Sequence, residues 1–237
     1  MSRLPLDGHA PPRVWEGFWG VVFSPGELFA RVARAPRWFA MLAVVTVIYI
    51  VSVSAFMFTE VGQDAWMEQA LQSTERFGGQ VTDLQIGRME GMKPYAGYFA
   101  AGQMLVFIPL VSLAIAGIGF TVFNVALGGT ASFRQVFSIV VHAGALGGLL
   151  QFFVWPLNYL RESMSSPTSL SVFLPMLEES TFLFRFLRAV DLLIVWWVVV
   201  LAIGLAVLYR KPAPRVAWSF LAIYTVIALA IAALTQS

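Results

Sequence analysis

Five times along this chain an apolar run reaches or approaches the length needed to cross a lipid bilayer, and that recurrence constrains the fold more than any other feature. A hydrocarbon core about 30 Å thick takes roughly 20 helical residues. The runs cover residues 38–58, 95–127, 133–155, 190–209 and 216–234. Backbone groups in lipid have no water to bond, so runs of this kind become helices. The expected fold is an all-α polytopic membrane protein with five transmembrane helices, N-terminal amphipathic or interfacial helices and an outer helical loop. Charged residues make up 12% of the chain, against roughly a quarter in a soluble domain. With no cysteine, a disulfide framework, a thiolate nucleophile and a cysteine-type zinc site are all excluded.

Residues 1–37 form the expected cytoplasmic segment, and 38–234 the membrane domain. Prolines and arginines interrupt the first segment, and no short apolar stretch ends in a small-residue cleavage site, so the first span is expected to be a retained anchor. Val14, Trp15, Phe18, Trp19 and Val22 recur at helical spacing. That aromatic face, with Trp15 and Trp19 at its centre, suits the membrane interface or the protein's own bundle. Ser24-Pro25-Gly26-Glu27 reads as a helix start with a capping box. The helix beyond it sets Leu28, Phe29 and Val32 against Arg31 and Arg34, as on a membrane surface.

Between the first and second runs, Glu60, Asp64 and Glu68 make one acidic stripe on a helix that Gly78-Gly79 should end, and a second short helix follows to Met92. Pro109 sits inside the second run and should kink it. Ser132 and Gln135 form a second capping box ahead of the third run, and Pro156 is expected to close it. Basic residues set the threading. With the N-terminus inside, nine fall in inner segments and six in much longer outer loops that also carry the acids. The expected location is therefore a cell membrane, multi-pass, with the N-terminus cytoplasmic and the C-terminus outside.

Three stretches together resemble the Yip1-domain family of five-span membrane proteins: SPGELFARVARAPRW before the first span, GGTASFRQVFSIVVHAGALGGLL entering the third, and VDLLIVWWVVVLAIGLAV with its basic turn. The arginine bias and short N-terminal segment resemble a bacterial member. The resemblance implies an integral membrane protein of the inner membrane. Eukaryotic members bind Rab-type GTPases in vesicle traffic, a role that a bacterial member does not inherit.

Polar residues inside apolar spans are functional-site candidates because they are expensive there. Asp191, near the outer end of the fourth run, is expected to pair with Arg188 three residues earlier or to meet Gln151 of the third span. His142 lies near mid-membrane, where it either bonds a neighbouring helix or takes part in proton-linked work. Gln103 and Asn124 complete a possible polar path through the bundle. Gly144 and Gly148 form a GxxxG, and Gly204 lies in the fourth run; all three are candidates for close helix packing. No nucleotide fingerprint, nucleophile–base arrangement or HExxH occurs. The resulting expectation is a non-enzymatic, membrane-organising or partner-binding protein without cofactor. Its partners would be lipids, another membrane protein or a second copy, and not nucleic acid. A small transporter and an interfacial lipid-handling protein are the alternatives.

Overall fold

The computed structural model describes residues 12–76 and 82–235. Ten α-helices occur among them: α1 Val14–Phe23, α2 Pro25–Arg34, α3 Phe39–Met57, α4 Glu60–Arg76, α5 Asp83–Met92, α6 Ala96–Phe120, α7 Phe133–Leu160, α8 Phe182–Ala189, α9 Leu192–Leu208 and α10 Ala213–Leu234. Four helical stretches, containing α3, α6, α7 and α10, are long and apolar enough to cross a membrane. α9 is apolar throughout but has 17 residues, about 25 Å at 1.5 Å per residue. The expected helix stop at Gly78-Gly79, and His9 near the N-terminus, lie outside the described residues.

Backbone contacts divide the chain into two compact units, and α3, α6, α7, α9 and α10 each contribute to both. The first comprises residues 1–45, 108–149 and 197–220. Its core is apolar and dense. Val136, Ile139, Val141 and Leu146 of α7 are buried beside Leu201 and Leu205 of α9 and Leu28, Phe29 and Val32 of α2. Gly204 makes the close approach possible: a Cβ there would lie 2.6 Å from Ile139 Cγ2 and 3.2 Å from the Phe29 ring. Helices in lipid gain from such packing because the hydrophobic effect adds little between them. α2 turns Leu28, Phe29 and Val32 inward, as its periodicity predicts, and Arg31 reaches back 2.8 Å to Glu16 of α1. α1 buries Gly17, Gly20 and Val21 and exposes Trp15, Trp19 and Phe23, so it has both a bundle face and an outward aromatic face. The helix start at Ser24 holds, with Pro25 at the first position, but the Ser24 side chain makes no capping bond. The serine is shared instead: its N–H closes α1 on Gly20 O and its carbonyl opens α2 by accepting from Leu28 N.

The second unit comprises residues 46–107, 150–196 and 221–237. Its apolar core is small, with Val53, Phe56 and Met57 of α3 packed on Ala65 of α4 and on Ala96 and Ala100 of α6. Trp155 packs against Phe56 with ring centroids 5.0 Å apart and the planes tilted by 34°, and the Ser54 hydroxyl donates to Gly97 O at 3.1 Å. Asp64 pairs with Lys93 at 2.6 Å, which commits one acid of the predicted stripe to holding α4 near the start of α6. Arg185 of α8 donates to Ala232 O of α10 at 3.1 Å, satisfying one of that helix's last carbonyls.

Two helix boundaries differ from expectation. α7 runs through Pro156 to Leu160. What ends it is Glu162 at φ +50, with the Ser163 N–H returning to Asn158 O. A left-handed residue closing the last turn in this way is a Schellman stop. The same device ends α9, where Arg210 has φ +52 and Lys211 N donates to Ala206 O at 2.9 Å. The second difference is the break in the apolar run after Arg185. Val190 is extended and separates α8 from α9, so the expected fourth span begins at Leu192 and not at residue 190.

Candidate functional site: an acid-centred hydroxyl cluster

In the second unit the break between α8 and α9 is held by a small polar knot around Asp191. The Asp191 carboxylate Oδ1 accepts from the N–H groups of Leu193 at 2.7 Å and Ile194 at 3.1 Å. Those are two of the donors that a helix start leaves unpaired, so the acid is the N-cap of α9. The Thr168 hydroxyl lies 3.0 Å from both carboxylate oxygens, and the Ser166 hydroxyl donates to Oδ2. Backbone pairing ties the same two segments together: Leu170 N donates to Val190 O at 2.9 Å and Leu192 N to Thr168 O at 3.1 Å. Tyr224 of α10 completes the knot. Its hydroxyl accepts from Asp191 N at 3.0 Å and donates to Ala189 O at 3.1 Å, bridging the break in the helix.

This geometry changes what Asp191 is. A carboxylate has about four acceptor positions, and here they face two backbone N–H groups and two hydroxyls. Arg188 belongs to α8, across the extended Val190, so it and Asp191 do not share the face of one continuous helix. Arg188 also lines a cavity of about 420 Å³ beside the knot. Ser163, Ser165, Ser166, Ser169 and Ser171 supply its hydroxyls, Gln69 and Gln72 of α4 its amides, and Arg161 and Glu179 further charges. The serines are pre-oriented, Ser163 with Ser165 at 2.8 Å and Ser169 with Ser171 at 3.0 Å. The wall is hydrogen-bonding in character. Of the two histidines, the described one, His142, belongs to the first unit.

The other polar candidates are distributed rather than aligned. Gln151 bonds the Tyr49 hydroxyl within the same unit. Gln103 is exposed on α6. In the first unit, the His142 Nδ1–H donates to Ser138 O at 2.8 Å, one turn back on its own helix, and the ring packs beside Gly17 of α1. Asn124 is a clamp: its Nδ2 donates to Ala131 O at 2.6 Å and its Oδ1 accepts from the Tyr209 hydroxyl at 2.7 Å. Of the glycine candidates, Gly204 sits at a close approach, whereas a Cβ on Gly144 would meet nothing within 4 Å; Gly148 is buried.

Sequence reasoning missed Ser166, Thr168, Tyr209 and Tyr224. Only one signal was available. An aspartate immediately before an apolar helical run is also the standard N-cap pattern, whereas the sequence alone predicts a charge near the outer end of the span, paired with Arg188 or meeting Gln151. The hydroxyl partners come from more than twenty residues away, a distance that local pattern cannot bridge.

The helices of spanning length make this a multi-pass membrane protein. Neither a curated protein nor a solved structure matches the chain. A family model described as the Yip1 domain matches residues 19–234, from within α1 to the end of α10, and the chain accordingly belongs to the Yip1 domain family.

Proposed function

We propose that the protein is a non-enzymatic component of the membrane that binds another membrane protein or organises its surroundings, threaded five times with the N-terminus on the cytoplasmic side. One observation carries this reading. Most of the candidate polar side chains in and at the ends of the spans are bonded within the protein: Asp191 and Tyr224 at the α8–α9 break, Asn124 and Tyr209 at the α6–α7 turn, Gln151 with Tyr49, and His142 with Ser138 of its own helix. Chemistry committed to helix placement is not free to carry a substrate. Meanwhile only 11% and 17% of the residues in the apolar windows of α6 and α10 are buried, against 61% for α7, so these two helices leave faces open to lipid or to a partner. The charge distribution supports the threading, since the first unit holds nine basic and three acidic residues and the second six and ten.

The test is reconstitution of the full chain into proteoliposomes, alongside cross-linking in native membrane through photoreactive residues on the α10 face at Ile223 and Ile227. The reading expects no pH- or substrate-dependent flux and a discrete cross-linked membrane partner. Flux that disappears in His142→Ala while the protein keeps its unfolding midpoint would establish the transporter alternative instead.

A further inference from the structure

The first unit holds a second cavity, of about 470 Å³, walled by the turn after α6 and the turn after α9. Ligand pockets fall in this size range. Its charged lining is cationic only: Arg210 and Lys211 contribute side chains and no acid does. The described acids of this unit, Glu16 and Glu27, lie on α1 and α2, and Glu16 is taken by Arg31. Among the described residues, no carboxylate lies within ion-pairing distance of Arg210 or Lys211.

Gly128, Gly129 and Thr130 line the cavity as well. Gly128 has φ +69, and a Cβ on Gly129 would stand 2.6 Å from the Tyr209 ring and 2.7 Å from Phe123 O, so the loop backbone is pressed directly onto the α9 turn. Asn124 locks the arrangement by bonding both Ala131 O and the Tyr209 hydroxyl. The N–H groups of Thr130 and Ala131 have no partner among the described residues. Small residues that bring backbone N–H groups to a concave wall make anion sites. An arginine fork and a lysine point charge are the pair of side chains that phosphate oxygens take up best.

We propose that this cavity binds a phosphate group, with Arg210 and Lys211 as its cationic side and the 128–131 turn as its backbone side. The proposal is independent of the partner-binding reading, because a phosphate site can be present whether or not a protein docks on α10. Two sources of that chemistry exist: the headgroup of an anionic phospholipid and a free phosphate in the adjoining aqueous phase.

The decisive variant is Arg210→Gly with Lys211→Gln. Arg210 sits where glycine is the preferred residue, and the Lys211 contact to Ala206 is made by the backbone, so both charges go while the helix stop stays. The full chain would be released from nanodiscs of phosphatidylcholine containing phosphatidylglycerol and weighed by native mass spectrometry. In parallel, inorganic phosphate would be titrated in neutral detergent and followed by phosphorus NMR. Retained phosphatidylglycerol, weakened roughly thirty-fold in the variant, assigns the site to a lipid headgroup. Phosphate binding that the variant loses, without a difference in retained lipid, assigns it to the free anion. The proposal is overturned if neither arm separates the variant from the parent. It is equally overturned if Arg37→Gln with Arg215→Gln, which removes two charges outside the cavity, weakens binding to the same degree.

Discussion

Among the described residues, twenty-three buried apolar side chains belong to the first unit and eight to the second, while buried polar residues divide the other way, two against six. The first unit is held by volume. Its α7 and α9 approach through Gly204, its α2 drives Phe29 into the gap, and its buried polar groups, Ser138 and His142, sit on one helix. The second is held by direction. Short helices and extended segments are tied through Asp191, Tyr224, Thr168 and Arg185, each bonding backbone groups or side chains on another element. The difference follows from what each unit contains. Long uninterrupted helices satisfy their own backbone and need only to be packed. A broken helix exposes backbone groups that something must bond.

The two kinds of cohesion should therefore fail differently, and substitutions can expose the contrast. The largest effect is expected for Asp191→Ala. It removes the α9 cap together with two part-buried hydroxyl bonds to a carboxylate, for a loss of about 3 kcal/mol combining a cap with hydrogen bonds to a charged group. Thermal unfolding of the purified protein in detergent would read it. Next comes Gly204→Val in the first unit. Its Cβ has no room beside Ile139, and overpacking of this kind costs about 2 kcal/mol, seen as a lower unfolding midpoint. A polar substitution that conserves volume should then discriminate the units. Tyr224→Phe removes the hydroxyl that bridges Asp191 N and Ala189 O and should cost about 1 kcal/mol, with hydrogen exchange rising first in the α8–α9 segment. The smallest effect has the opposite sign. Arg210→Gly relieves a left-handed arginine at the α9 stop, so the protein should gain about 0.5–1 kcal/mol after the flexibility of glycine in the unfolded chain is set against the relief.

How much of this was legible in the sequence depended on the same distinction. Helices packed by volume announce themselves through long apolar runs, and the inward face of α2 was readable from Leu28, Phe29 and Val32 alone. The stop of the helical stretch that continues α6 through the π-helical turn Thr121–Ala126 was readable because Gly128 adopts the positive φ that glycine permits. The stops at Glu162 and Arg210 were not, since left-handed residues with bulky side chains carry no composition signal. Pro156 misled for a related reason: it costs the helix one hydrogen bond, but the helix tolerates it one turn before its end. The knot was least legible. Asp191 was visible, but Ser166, Thr168 and Tyr224 reach it across 25, 23 and 33 residues of chain. Without them an N-cap and an intramembrane charge look alike. The cavity at Arg210 and Lys211 was similarly hidden, because the basic turn read only as a topology signal until Asn124 and Tyr209 joined it to the glycine turn.

The central claim is that the polar residues at the membrane ends hold helices in place, with Asp191 acting as a cap rather than as a charge on a path. Asparagine caps helices nearly as well as aspartate, and alanine does not. Unfolding midpoints of the parent, Asp191→Asn and Asp191→Ala, measured together in one detergent, test the claim most directly. The account predicts that the asparagine variant retains most of the parent's stability and the alanine variant loses it. An asparagine variant as unstable as the alanine variant, or an alanine variant as stable as the parent, would contradict it.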